Sequence, residues 1–379
     1  MPSTSATPAR TAFDPGRARL RLIGLDTSPC TASSSASSVW KNAPGRWPRN
    51  SRCRETPGAA PRLLRRLSYD ARVLRLAYRM LAGDVRRGEP IAPAAEWLLD
   101  NFHLVEAEMR EIRHHLPTRY YRELPKLATR ELAGTARVYA MAVELLRYSD
   151  ARLDAKRLER FIYAYQTVAP LSIGELWAWP SMLKLALIEH VRRLSEEVIE
   201  SRAGRLQADH LFAEFESAPV KGRLPSLPHV LHVAFVDQLL LRMREYGAGA
   251  AGLRKQLEDR LDASGTTVEE AVRAEHQRQA MNHLSMGNSI TSLRLCATFD
   301  WNRYIEDVSL IEGILRRDPP GVYSRMEFTS RDRYRHAVEA LADPTGEAQV
   351  RSRCAPSRAR ARRRRRKAAT RGPRTSATT

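Results

Sequence analysis

Only four cysteines occur in 379 residues, Cys30, Cys53, Cys296 and Cys354, and they lie far apart. Neither a disulfide framework nor a zinc-ligand spacing can be built from them, and so sparse a usage fits a reducing compartment. No run of about 18 apolar residues exists, which excludes a transmembrane helix from the encoded chain. Met1-Pro2-Ser3-Thr4-Ser5 is not a basic segment leading into an apolar stretch, so no secretory signal is expected and the reading is of a soluble, cytoplasmic chain. Catalytic signatures are missing as well. There is no Asp-x-Asp pair of the kind that holds a divalent cation on a diphosphate, no Gln-x-x-Arg-Trp, no P-loop, no His-Glu-x-x-His and no Gly-x-Ser-x-Gly elbow.

Charge of one sign is plentiful, with a formal net charge of +20. That value suggests a nucleic-acid binder until its distribution is read. Residues 1–62 hold 10 Lys and Arg against 3 Asp and Glu, residues 344–379 hold 12 against 1, and the 281 residues between carry only +2. A near-neutral body with basic ends presents no groove of positive potential, so nucleic acid is not the expected partner of the body. The segment Arg362 to Lys367, six consecutive basic residues, leaves weak binding of polyanions by the C-terminal tail as the rival reading.

Residues 1–62 are rich in Ser, Thr, Ala, Pro and Arg, with Thr31 to Ser38 close to low complexity, and residues 344–379 are of the same kind. Both are expected to be disordered tails. Between them the periodicity is helical and predicts an all-α domain over 63–343, a bundle or a stack of helix pairs with eight to ten helices. Leu67, Leu74, Tyr78 and Leu81 make the inner face of a first helix over Leu63 to Val85, closed by Gly88 and Pro90. Pro93 suits the first turn of a second, which Pro117 stops, and its seam is Leu98, Phe102, Val105, Met109, Ile112 and Leu116. Val138, Met141, Leu145 and Tyr148 line a third, and Asp154 caps a fourth that buries Leu158, Phe161, Ile162 and Tyr165. Ser172 with Glu175 forms a capping box opening a long helix expected to kink at Pro180 and to end near Gly204. Thr267 with Glu270, and Thr329 with Asp332, repeat the start signal. Residues 205–230, with Gly222, Pro225 and Pro228, form the best internal break between two subdomains.

Several residue groups invite a functional reading, each beside a structural one. His103, Glu106 and Arg110 share a helix face, as an acid/base site would, or as an ordinary exposed ion-pair face would. His114 and His115 point about 100° apart on a helix, which does not suit two ligands of one ion. Trp177 and Trp179, with Tyr163 and Tyr165, can stack on sugar rings; core packing is the competing account. Tyr120, Tyr121 and Arg122 lie between two prolines, where an ordered loop would present polar groups. Arg331, Asp332, Arg333 and Arg335 can grip an acidic partner or phosphate, although capping by Asp332 accounts for part of that cluster.

The lettering of several segments carries a resemblance. Asp100-Asn101-Phe102-His103 and Tyr120-Tyr121-Arg122-Glu123-Leu124-Pro125-Lys126-Leu127 resemble the N-terminal region of bacterial cyclic β-1,2-glucan synthases. The same holds in order for Ile173-Gly174-Glu175-Leu176-Trp177-Ala178, Met182-Leu183-Lys184-Leu185-Ala186-Leu187-Ile188-Glu189, Glu275-His276-Gln277-Arg278-Gln279-Ala280 and Gly287-Asn288-Ser289-Ile290-Thr291-Ser292-Leu293-Arg294-Leu295. It continues through Phe299-Asp300-Trp301, Val308-Ser309-Leu310-Ile311-Glu312, Gly321-Val322-Tyr323 and Thr329-Ser330-Arg331-Asp332-Arg333-Tyr334-Arg335. The resemblance implies kinship with an inner-membrane glucosyltransferase that makes periplasmic glucan from UDP-glucose. In that family catalysis, with UDP-glucose and a divalent cation, resides further along a longer polypeptide, so this chain is expected to hold no catalytic module or cofactor. It would act as a scaffold or regulatory region docking on the remainder of such a synthase. The tails depart from the family and read like GC-rich DNA in a wrong frame, so the expectation is a truncated relic with both ends out of frame. Resequencing tests this, since a single intact frame with no synthase sequence in another frame downstream would refute it. A stand-alone helical interaction protein is the alternative.

Overall fold

The computed structural model describes residues 60–127, 134–217 and 224–342. They form α1 (Ala60–Arg86), α2 (Pro93–His115), α3 (Thr118–Glu123), α4 (Arg137–Ser149), α5 (Ala155–Gln166) and α6 (Ile173–Glu216). After these come α7 (Val233–Tyr246), α8 (Ala251–Asp262), α9 (Val268–Thr298), α10 (Trp301–Val308), α11 (Leu310–Leu315) and α12 (Phe328–Ala342). Among the described residues no strand occurs, only an isolated bridge between Lys126 and Ala136, so the all-α expectation holds. The disorder and polyanion binding expected of the tails fall outside the described residues, except that α1 begins at Ala60, three residues inside the segment read as a tail.

The helix-start chemistry acts where the sequence placed it. The Asp154 carboxylate accepts from the Arg157 amide, and Ser172 with Glu175 and Thr267 with Glu270 close full capping boxes, which satisfy amides that a first helical turn leaves without partners. Pro93 sits in the first turn of α2, and Leu98, Phe102, Val105, Met109, Ile112 and Leu116 are all buried along its inner face. The 44-residue α6 is continuous through Pro180, a residue that removes one helix hydrogen bond and is tolerated because the surrounding turns are packed on several sides.

Three expectations are corrected. Tyr120, Tyr121 and Arg122 lie on the short α3, not on a loop, because Pro117 precedes a helix as readily as it ends one and Tyr121 has an apolar site to fill. The long helix does not end at Gly204: it runs to Glu216 because Ala208, Leu211 and Phe212 bury against α7. Gly204 is instead the crossing point of α6 and α7, where a β-carbon would lie 3.3 Å from the Phe235 amide nitrogen. Of the segment 205–230, read as the internal break, residues up to Glu216 belong to α6 and residues 218–223 lie outside the described residues, so the subdomain boundary stays an expectation. Thr329 is inside the first turn of α12, which starts one residue earlier, and so does not cap it.

The interior is organised as three apolar clusters. The largest joins α1, α2, α4, α5, the first half of α6, the second half of α9 and α10, with Leu74, Leu98, Val105, Met141, Leu145, Trp179 and Ile290 essentially without solvent contact. A second joins the end of α6 to α7, α8 and the start of α9 through Phe212, Phe235, Leu239, Leu253 and Leu257. A small third seats Ile173 against Ile311, Leu315, Tyr323 and Val338.

Candidate functional site

The segments with distinctive lettering hold one another. Arg294 on α9 donates to the Asn101 side-chain oxygen on α2, and the Asn101 amide donates to the Trp97 carbonyl at 2.9 Å. Gly287 lets α9 approach Trp97, since a β-carbon there would stand 3.2 Å from the indole. Ser292 donates to the Ala151 carbonyl at 2.6 Å and accepts from the Leu153 amide at 2.9 Å, and Asn288 donates to the Asp150 carbonyl at 3.1 Å. These bonds support a turn in which Asp150 and Ala151 adopt φ of 49° and 55°, a conformation that ordinary side chains disfavour. Arg137 grips Glu175, with Nε 2.8 Å from Oε1, so the capping carboxylate of α6 is also an ion-pair partner.

On α12, Arg335 is wholly buried and reaches Glu312 at 2.8 Å, Glu306 at 3.3 Å and Asp332 at 3.1 Å, while Arg331 meets Glu306 at 2.8 Å. The Tyr323 hydroxyl donates to Glu312 at 2.6 Å. Burial works to raise the Glu312 carboxyl, and the Tyr323, Arg335 and Arg316 hydrogen bonds outweigh it, leaving the group below the ordinary carboxylate range.

Between these ties lies a cleft of about 440 Å³. Its walls come from α2 (Glu111, Ile112, His115), α3 (Tyr120), α6 (Gly174, Trp177, Pro180, Ser181, Lys184), α10 (Trp301) and α12 (Asp332, His336). Tyr120, Trp177 and Trp301 are each half-buried. The Tyr120 hydroxyl is spent on the Gly174 carbonyl and the Trp301 indole nitrogen on the Cys296 carbonyl, 2.9 Å away. At the floor, Lys184 lies between Glu108 at 2.7 Å and Glu111 at 2.9 Å. Burial raises the Glu108 carboxyl, while for Glu111 the Lys184 contacts overcome burial and lower it. At the rim, His115 Nδ1 stands 3.7 Å from Glu111, and His336 Nε2 stands 3.6 Å from Asp332.

A second charged cluster sits where α1 and α4 meet α6. Arg192 Nε lies 2.8 Å from Asp70 Oδ1 and its Nη1 pairs with Glu196, while Arg66 and the Tyr139 hydroxyl both bond Glu189. Asp70 is 1% exposed, and its Oδ2 has no hydrogen-bond partner among the described residues. Burial, reinforced by the Glu189 charge and opposed by Arg192 and Arg66, pushes its carboxyl up to about 7. His190, buried beside Arg193, is pushed down to about 4, and burial raises the Cys296 thiol to about 12.

Of the residues singled out in the sequence, Tyr120 and Trp177 line the cleft and are brought together with Asp332. Trp179 does not join them: it is fully buried, stacked on Phe161 with centroids 5.9 Å apart. Tyr165 is also in the core, whereas Tyr163 is exposed and donates to the Asp307 carbonyl. Tyr121 is buried and Arg122 exposed. Arg331 and Arg335 are turned inward on Glu306, and Arg333 is exposed. Glu106 pairs with Arg75 at 2.8 Å, the ion-pair face that its spacing allowed. Lys184, Trp301 and His336 were missed. A lysine inside the apolar run from Met182 to Ile188 is the one local signal that could have found the first.

Among the described residues no group of three His, Cys, Asp or Glu side chains is placed to hold a metal ion, and no helix is long and apolar enough to cross a membrane. No family model matches the chain. It is 35% identical over 283 residues to the cyclic beta-(1,2)-glucan synthase NdvB of Rhizobium meliloti (strain 1021), an overlap of 72% of this chain. The resemblance read from the sequence holds. The chain spans about 10% of that synthase's length, so the similarity is to one segment of a much longer protein. The cleft and its supporting ties lie in the helical body of this glucan-synthase-related chain.

Proposed function

We propose that the helical body is a scaffold or regulatory region of a cyclic β-1,2-glucan synthase-like glucosyltransferase, one that converts UDP-glucose to periplasmic cyclic glucan. It works at the cytoplasmic side by docking on the remainder of such a synthase, and turnover belongs to other parts of the enzyme. The observation that carries the reading is the commitment of its charged residues to one another. Arg294 with Asn101, Arg137 with Glu175, and Arg335 with Glu306 and Glu312 brace helices, where a transferase needs a free base beside an acceptor hydroxyl and carboxylates around a cation. UDP-glucose and the divalent cation are accordingly assigned to the rest of the enzyme.

The test deletes the matching segment from a full-length synthase and supplies the present chain separately. Glucan output is expected to fall on deletion and to recover on co-expression. Unchanged output after deletion, or incorporation of labelled glucose from UDP-glucose by the purified chain alone, overturns the reading.

A further inference from the structure

The walls of the cleft discriminate among classes of ligand. Both of its carboxylates are matched: Glu111 by Lys184 and His115, and Asp332 by Arg335 and His336. The Lys184 ammonium is held by two carboxylates and its side chain is 5% exposed. A phosphate group takes its affinity from cations open to it, and this ammonium is enclosed between Glu108 and Glu111. A quaternary ammonium would find aromatic rings, but the carboxylates of the cleft already have cationic partners in Lys184 and Arg335. A purely apolar ligand would strip water from Ser181, two carboxylates and two imidazoles and give nothing back.

A neutral ligand with apolar faces and many hydroxyls meets none of these objections. Tyr120 and Trp301 have their polar tips committed inward, so what they turn to the cleft is ring surface. Carboxylates accept from hydroxyls, and imidazoles both accept and donate. The volume of about 440 Å³ falls in the range of roughly 300–1,000 Å³ usual for small-molecule sites.

We infer that this cleft binds a neutral saccharide, with Tyr120, Trp177 and Trp301 against the sugar-ring faces and Glu111, Asp332 and His336 bonded to its hydroxyls. The inference stands on wall chemistry; only the linkage chosen for the probe rests on the proposed kinship with a β-1,2-glucan synthase.

The experiment titrates the full chain with a β-1,2-linked glucose trisaccharide, following tryptophan fluorescence and calorimetric heat, with UDP, inorganic phosphate and tetramethylammonium in parallel. The trisaccharide is expected to give a saturable signal and the other three none. Glu111→Gln should weaken it about tenfold, the scale of one charge-assisted hydrogen bond. His336→Ala, a change at an exposed rim position, should weaken it in the same direction with the fold intact. The inference is overturned by a saturable signal from phosphate, UDP or tetramethylammonium without one from the saccharide, by no saturable signal at all, or by saccharide binding that both variants leave unchanged. Each of these outcomes leaves the scaffold reading standing, because that reading is decided by glucan output and glucose transfer.

Discussion

Arg294 and Asn101, 193 residues apart in sequence, are joined by a hydrogen bond of 2.6 Å that fastens α9 to α2. Asn101 is 6% exposed while Arg294 lies at the surface, so the bond is sheltered on its acceptor side only. Asn101→Ala removes the acceptor of a part-buried bond whose donor, Arg294, is exposed and can turn to water, an effect of about 0.5–1.5 kcal/mol. Urea denaturation of the full chain should show a lower midpoint with an unchanged slope; a loss below about 0.5 kcal/mol, the scale of surface changes, would contradict the bracing role.

Asp70 makes stability depend on pH with a definite sign. Its carboxyl is raised to about 7 in the fold from 3.8 in the free side chain, so the folded state holds a proton that the unfolded chain gives up sooner. Stability from this group is therefore lost as pH rises from about 4 towards 7 and is flat above that, a total on the order of 4 kcal/mol. Asp70→Asn removes the titrating group. The difference in stability between variant and parent should move in the variant's favour between pH 5 and pH 8; a difference independent of pH would show that Arg192 keeps Asp70 ionised throughout.

Gly204 tests the helix crossing. A β-carbon there would lie 3.3 Å from the Phe235 amide nitrogen and 3.5 Å from the Ala234 β-carbon. Gly204→Ala sets a helix-propensity gain of about 1 kcal/mol against that crowding and should be close to neutral. Gly204→Val adds two methyl groups and should destabilise by about 1–3 kcal/mol. If calorimetry finds valine as well tolerated as alanine, the two helices do not approach as described.

Arg335 has no solvent exposure and neutralises Glu306 and Glu312 together. Arg335→Met fills the volume but leaves Glu306 with Arg331 and Glu312 with Arg316 and Tyr323 as their remaining partners, so the loss should fall at the lower end of the range for a broken buried pair, about 3 kcal/mol. Hydrogen exchange should rise first in α12, from Phe328 onward. Arg335→Met with Glu312→Gln should recover part of the loss, and no recovery would mean that the contacts are not coupled.

What could be read in the sequence was what repeats or caps locally. The seam from Leu98 to Leu116 and the capping pairs at Ser172 and Thr267 lie within a few residues of one another, so their spacing alone encodes the helices. Gly204 misled because a glycine ends many helices and also lets two helices touch, and only the partner distinguishes these uses. The cleft was half legible. Tyr120 and Trp177 stood out as polar-tipped aromatics, but nothing near Trp301 or His336 announces that they meet residues more than a hundred positions earlier. Trp179, two places from Trp177, shows the limit: on a helix that step turns the ring to a different side, into the packing around Phe161.

The 44 residues of α6 pass from the largest apolar cluster into the second one, and α9 does the same in reverse. At about 1.5 Å per residue α6 is a rod some 66 Å long, and neither half of the molecule can melt without stripping part of the other's interior. Heating should consequently give one calorimetric transition, and a ligand gripping the cleft end should slow proteolysis at the far end without touching it.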